Sequence, residues 1–273
     1  MLATQGAALK NTARELNFST RLNVQTGNNV LIGGLIVTGT TPKDVILRAI
    51  GPSLSNYGVF DALQDPTLEL HDQSGAIIAS NDNWKDSQMA QIQAMGIPPA
   101  DDRESAIVQT LAPGAYTAIV RGNNNTPGVA LIEAYDLAPT SNSTFGNIST
   151  RGLVQTGENV MIGGFIVGGL ETNPTGSVRV LVRGIGPSLT QFGVADALQD
   201  PVLEIHNSDG AIIAQNDNWR DTQQTLIQGT GIPPSDDREA AILQALPPGN
   251  YTAVLYGKNR TSGVALVEVY NVP

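Results

Sequence analysis

The residues of this chain best suited to chemistry are oxygen donors gathered in a loop that occurs twice, as "NDNWKDSQMA" from Asn81 and "NDNWRDTQQT" from Asn216. Asn81, Asp82, Asn83 and Asp86 are followed by Asp101, Asp102 and Glu104, and Asn216, Asp217, Asn218, Asp221, Asp236, Asp237 and Glu239 repeat the set. Hard carboxylate and amide oxygens in such density are what Ca²⁺ selects. The spacing is not that of an EF-hand, because the fixed glycine and the terminal bidentate Glu are missing from the required positions. A second reading needs no ion: Asn and Asp form turns and caps, the tryptophan packs the loop onto the body, and Arg103 or Arg238 pairs with a neighbouring carboxylate. The turn reading is the favoured one, and calcium is the single cofactor expected under the other. Trp84 and Trp219 are the candidate ligand-binding residues, because a ring on a polar loop can stack on a sugar.

Other reactive types are sparse. His71 and His206 stand alone in "LELHD" and "LEIHN", whereas zinc needs three or four convergent ligands. Ser53 and Ser188 sit in "GPSL", but a nucleophile elbow needs Gly-x-Ser-x-Gly, and acyl transfer also needs a base and an oxyanion hole. The adjacent aspartates of "DDRE" do not by themselves set the separation that glycoside hydrolysis requires. No catalytic residue is assigned, and the expectation is a protein that is not an enzyme, with a hydrolase the least favoured alternative.

The loop recurs because the chain is duplicated. "VQTGNNVLIGGLIV" from Val24 returns from Val154 as "VQTGENVMIGGFIV", and "IGPSL", "DALQDP", "GIPP", "DDRE" and "GVAL" recur in the same order. A period of about 130 residues is one small domain rather than a solenoid unit. The offset is 130 positions at Val24 and 135 from Gly51 onward, so the second copy holds extra residues within "GGLETNPTGS". The expected division is an N-terminal extension at 1–15, a first repeat at 16–137, a linker at 138–147 and a second repeat at 148–273.

The elements that position these loops read as strands. Short alternating apolar runs separated by Gly, Pro, Asn and Asp mark an all-β sandwich. In the first copy strands are expected at 18–24, 29–37, 44–50, 67–72, 76–80, 105–111, 115–122 and 128–137. Eight per repeat predicts two tandem jelly-roll-like β-sandwich domains. "DQSGA" and "NSDGA" are tight hairpins with a late positive-φ Gly. Gly33-Gly34 and Gly163-Gly164, inside strand patterns, predict a bulge or a close backbone approach. Asp86 and Asp221 are expected to cap a short helix that "GIPP" ends.

A formal charge of -10 argues against nucleic acid and anionic membranes as partners, since both need a cationic surface. No apolar run reaches the length of a membrane span, and the first residues lack the basic and apolar regions of a secretory leader. The scarcity of charge beside much Gly, Asn, Thr and Ser suits extracellular β-proteins. An extracellular or cell-surface location is expected, with any leader outside this chain. The absence of cysteine leaves no disulfide or thiolate site.

The close of each copy, "ESAIVQTLAPGAYTAIVRGNNNTPGVALIEAYDL" and "EAAILQALPPGNYTAVLYGKNRTSGVALVEVYNV", together with the earlier "PTLELHDQSGAIIASNDNW", resembles bacterial pre-peptidase C-terminal domains. The front half, with "QTGNNVLIGG" and "RAIGPSL", departs from that pattern and is similar to modules repeated in large secreted bacterial proteins. The resemblance implies a secreted, non-catalytic β-sandwich that sometimes holds calcium and sometimes touches a polymer. It carries over no catalytic residue. The resulting expectation is an extracellular structural or adhesive protein, a filament or surface-layer subunit that self-associates through sandwich edges or its N-terminal segment. The alternative is a carbohydrate- or polymer-binding module with an extracellular polysaccharide as partner.

Overall fold

The computed structural model describes residues 14–168 and 176–272. Repeat 1 supplies β1 (Arg14–Val24), β2 (Leu31–Gly39), β3 (Lys43–Ile50), β4 (Pro66–His71), β5 (Ile77–Asn81), β6 (Ser105–Leu111), β7 (Gly114–Gly122) and β8 (Gly128–Asp136). Repeat 2 supplies β9 (Ser143–Val154), β10 (Met161–Gly168), β11 (Val178–Ile185), β12 (Pro201–His206), β13 (Ile212–Asn216), β14 (Ala240–Leu246), β15 (Gly249–Gly257) and β16 (Gly263–Val272). Two short helices, α1 (Met89–Ala94) and α2 (Gln224–Gly229), lie in the excursions that follow the tryptophans. Alternation in the sequence becomes alternation in burial, as in β4, where Pro66, Leu68 and Leu70 point inward and their neighbours are half-buried.

The all-β sandwich expectation is borne out. One eight-stranded sheet runs β13-β12-β15-β10-β1-β8-β3-β6 and the other β14-β11-β16-β9-β2-β7-β4-β5. Within repeat 1 the half-sheets 1-8-3-6 and 2-7-4-5 have the order of a jelly roll, in which successive strands cross between the two sheets except at the β4–β5 hairpin. Repeat 2 follows the same order. Neither sheet stops at the repeat boundary: β1 pairs antiparallel with β10, and β2 with β9. The main core accordingly draws on both copies, from Phe18 and Leu35 to Phe165 and Ile205.

The seam is a near two-fold arrangement of duplicated residues. Thr150 donates from Oγ1 to Thr20 Oγ1 at 2.9 Å, and both are fully buried. Close approach accounts for Gly33 and Gly34, whereas Gly163 has only ordinary contacts around it. A Cβ on Gly34 would lie 2.5 Å from Ser149 Oγ, and one on Gly33 would lie 2.8 Å from Ile132 Cδ1. At both positions the obstacle is the end of a side chain, so a Cβ there would require Ile132 or Ser149 to shift.

The connection between repeats is shorter than the sequence suggests. β9 begins at Ser143, so the "STFGN" end of the expected linker is strand. The rest is clamped by Lys43, whose Nζ donates to Asp136 Oδ2 at 2.7 Å and to Ala138 O and Ser141 Oγ at 3.2 Å each. Lys43 is completely buried. Repeat 2 has Val178 and Asn271 at the matching places, so this ion pair belongs to the junction rather than to the repeat. Residues 1–13 of the N-terminal segment, and 169–175 of the longer loop in repeat 2, lie outside the described residues.

Candidate functional site

The NDNW loop starts at the end of β5 and crosses the outer face of β3 and β6. Trp84 is only 4% exposed and packs with Ile46, Ile92, Ala106 and Val108. Its indole Nε1 donates to Asp101 O at 3.2 Å. Trp219, 2% exposed, does the same with Leu181, Ile227, Ala241 and Leu243, donating to Asp236 O. The stacking role expected for the two tryptophans is therefore corrected: their faces are spent on the sandwich, which needs a large apolar plug under the excursion. Lys85 and Arg220 lie over the remaining ring faces at 5.3 and 4.7 Å.

The loop's amides close a sheet edge. β6 is the last strand of its sheet. Ala106 N donates to Asn81 Oδ1 at 2.9 Å, Val108 N donates to Gln88 Oε1 at 2.9 Å, and Gln88 Nε2 donates to Val108 O at 2.8 Å. Asn216 and Gln223 treat Ala241 and Leu243 of β14 identically. Side-chain amides thus stand in for the missing neighbouring strand. Gln88 also occupies the N-cap position of α1, without a side-chain cap bond. Asp86 is not the cap expected from sequence: it accepts from Asn83 Nδ2 at 3.2 Å, and Asp221 accepts likewise from Asn218.

The remaining acidic residues divide among separate tasks. Asp101 accepts from Arg103 N, Nε and Nη2, and Asp236 accepts in the same way from Arg238. Asp102 pairs with Lys85 and Asp237 with Arg220, each at 2.5 Å. Glu104 turns inward and is fully buried. Its Oε1 accepts from Gly51 N, Ser53 N and Ser53 Oγ, and its Oε2 accepts from Ala100 N and Asp101 N. Glu239 binds Gly186, Ser188 and Asp236 in the same manner. This carboxylate ties the "GPSL" turn to the "DDRE" turn, and Ser53 and Ser188 are buried donors to it.

A second polar cluster, unmarked by any motif, supports the far end of the excursion. Arg48 on β3 donates from Nε to Glu133 on β8 at 2.9 Å and from Nη1 to Ile97 O at 2.7 Å, with Tyr135 donating to the same Glu133. Arg183, Glu268, Tyr270 and Ile232 repeat it. Burial, followed by the Glu268 charge, pushes the Tyr270 phenol up to about 12, which keeps it a neutral donor. Its only sequence signal was one charge of opposite sign on each of two strands, Arg48 opposite Glu133 and Arg183 opposite Glu268 once the strands pair.

One oxygen of the calcium set is left over in each repeat, Asp82 Oδ1 in the first and Asp217 Oδ1 in the second, both buried without a hydrogen-bond partner. Burial first, then repulsion from Asp65 and Asp86, raises the Asp82 carboxyl above the ordinary range. In repeat 2 the matching Asp217 receives Lys258 Nζ at 2.5 Å, with Asp200 at 3.7 Å from the same ammonium. Repeat 1 has Asn123 in place of that lysine, and it donates to Asp65 at 3.0 Å. Among the described residues no group of three or more His, Asp or Glu stands close enough to hold a metal ion. Each histidine sits beside a Glu of its own strand, His71 with Glu69 at 3.1 Å and His206 with Glu204 at 2.9 Å.

Among the described residues no helix is long and apolar enough to cross a membrane. No family model matches the chain, and no curated protein matches it. Among solved structures it is similar over 44% of its length to the pre-peptidase C-terminal domain of collagenase from Bacillus anthracis, at 15% identity, 89% of that chain and a TM-score of 0.27. It is also similar to PNGase F, at 11% identity over 92% of this chain and 96% of that one with a TM-score of 0.21. The collagen adhesin CNA from S. aureus follows at 8% identity over 96% and 78%, with a TM-score of 0.17. The first of these is the domain type that the closing half of each repeat resembles, and likenesses this distant carry no argument about function.

Proposed function

We propose that the chain is a non-catalytic extracellular structural or adhesive unit that works by presenting surfaces rather than by turning over a substrate. One observation carries the reading: in both repeats the serine, the buried glutamate, the arginine–glutamate pair and the tryptophan that could have served chemistry are all consumed in holding the excursion to the sandwich. Duplicated scaffolding of this kind suits a building unit.

The surfaces left for self-association are specific. Each sheet has one edge sealed by amides, β6 or β14, and one unsealed edge, β13 or β5. Ile77, Ile78, Ile212 and Ile213 on the unsealed strands are all exposed. Both strands are short, and a register shift next to His71 or His206 bends them, which limits pairing to a few residues. Contact between β5 of one copy and β13 of the next is heterologous and propagates, whereas like-with-like contact closes a dimer. Sedimentation velocity of the full chain is expected to show concentration-dependent assembly that Ile78→Lys with Ile213→Lys abolishes. A chain that stays monomeric at all concentrations would end the self-associating reading.

A further inference from the structure

We propose that the seam between the repeats carries a binding cleft for a neutral polysaccharide, built around Tyr57 and Phe60. The cleft holds about 580 Å³ and is formed jointly. Repeat 1 contributes Arg21 on β1 and the turn after "GPSL", and repeat 2 contributes the β9–β10 turn with Glu158 and Asn159. That volume falls within the range of about 300–1,000 Å³ typical of small-ligand sites.

The two rings are the most exposed aromatic side chains among the described residues, with Tyr57 at 84% and Phe60 at 95%. Folding does not require a ring at position 60, because repeat 2 builds the same turn with Ala195. An aromatic face held in water on a rigid turn is suited to stack on the apolar face of a pyranose. The polar rim matches hydroxyls, each of which both donates and accepts: Arg21 and Asn159 supply donors, while Asp61 and Glu158 supply acceptors. The formal charge of -10 disfavours polyanionic chains, which leaves neutral glycans as the class that this mixture recognises.

The duplication supplies a weaker second subsite. Phe192, 80% exposed, with Arg151, Asp196 and Asn29, lines a cleft of about 340 Å³ on the matching turn. Ala195 and Asn28 there replace Phe60 and Glu158. One ring and one carboxylate fewer predict lower affinity, and two subsites on one body favour a polymer over a free monosaccharide.

The inference stands apart from edge-mediated assembly, since the cleft shares no residue with β5 or β13. The test is depletion of the full chain from solution by insoluble cellulose, chitin and xylan, with soluble neutral glucans as competitors and alginate as the charged control. Tyr57→Ala with Phe60→Ala is expected to weaken retention on at least one neutral polymer by about tenfold or more, and Phe192→Ala by less. Ile78→Lys, on the edge hairpin, should leave retention unchanged. Because the replaced rings are exposed, an unchanged melting temperature confirms that the variants fold. No retention on any neutral polymer, retention only on alginate, or wild-type retention by the double variant would overturn the cleft while leaving the structural reading in place.

Discussion

Glu104 and Glu239 show why residue type alone misjudges a site. In sequence each closes an acidic run and looks solvated. In the fold each is fully buried and accepts hydrogen bonds from two separate turns. The composition of the loop was legible, but the direction each side chain faces was not, because that depends on which turn is brought opposite. Asp82 and Asp101 carry opposite pH signatures for the same reason. Arg103 holds the Asp101 carboxyl below the ordinary range by hydrogen bonding, so its contribution is present above the unfolded pKa and lost as pH falls through the folded one. Asp82 is raised, chiefly by burial, so its charge costs stability above the folded pKa, and that cost fades as pH falls toward the unfolded value. Asp82→Asn is therefore expected to raise the melting temperature at pH 7 and to lose that gain near pH 4. A destabilised variant at pH 7 would show that the Asp82 charge has a favourable partner.

At the scale of elements, alternation located all eight strands of the first repeat to within a few residues, because half-buried strands leave a period of two in the sequence. The hairpin turn was equally legible: Gly75 has φ 84°, and Asp72 accepts from Ser74 N and Ala76 N. Edge sealing was not legible, since a glutamine in a loop gives no sign that it lies beside a strand. Gln88→Ala leaves Val108 N and O without their partner, which is expected to cost about 1 kcal/mol and to expose an edge that recruits other chains. Chemical denaturation and thioflavin binding on heating check both effects. Unchanged stability together with unchanged aggregation would mean that water replaces the amide at no loss.

For the whole molecule, the duplication was plain in sequence and the seam was not. Two repeats of domain size read naturally as two sandwiches on a linker, yet β1 and β9 each lie between strands of both copies. Which strands meet at an edge is a long-range property that local patterning does not encode. Packing at the seam depends on small side chains: Thr20 meets Thr150, and a Cβ on Gly152 would lie 2.0 Å from Leu22 Cδ2. Lys43 then fixes the connecting segment over Asp136. A cleft at the seam and unsealed edges at the two ends both require the repeats to behave as one body. Scanning calorimetry of the full chain tests that requirement most directly. One body predicts a single transition whose calorimetric and van't Hoff enthalpies agree, whereas two separable transitions, one for each repeat, would contradict it.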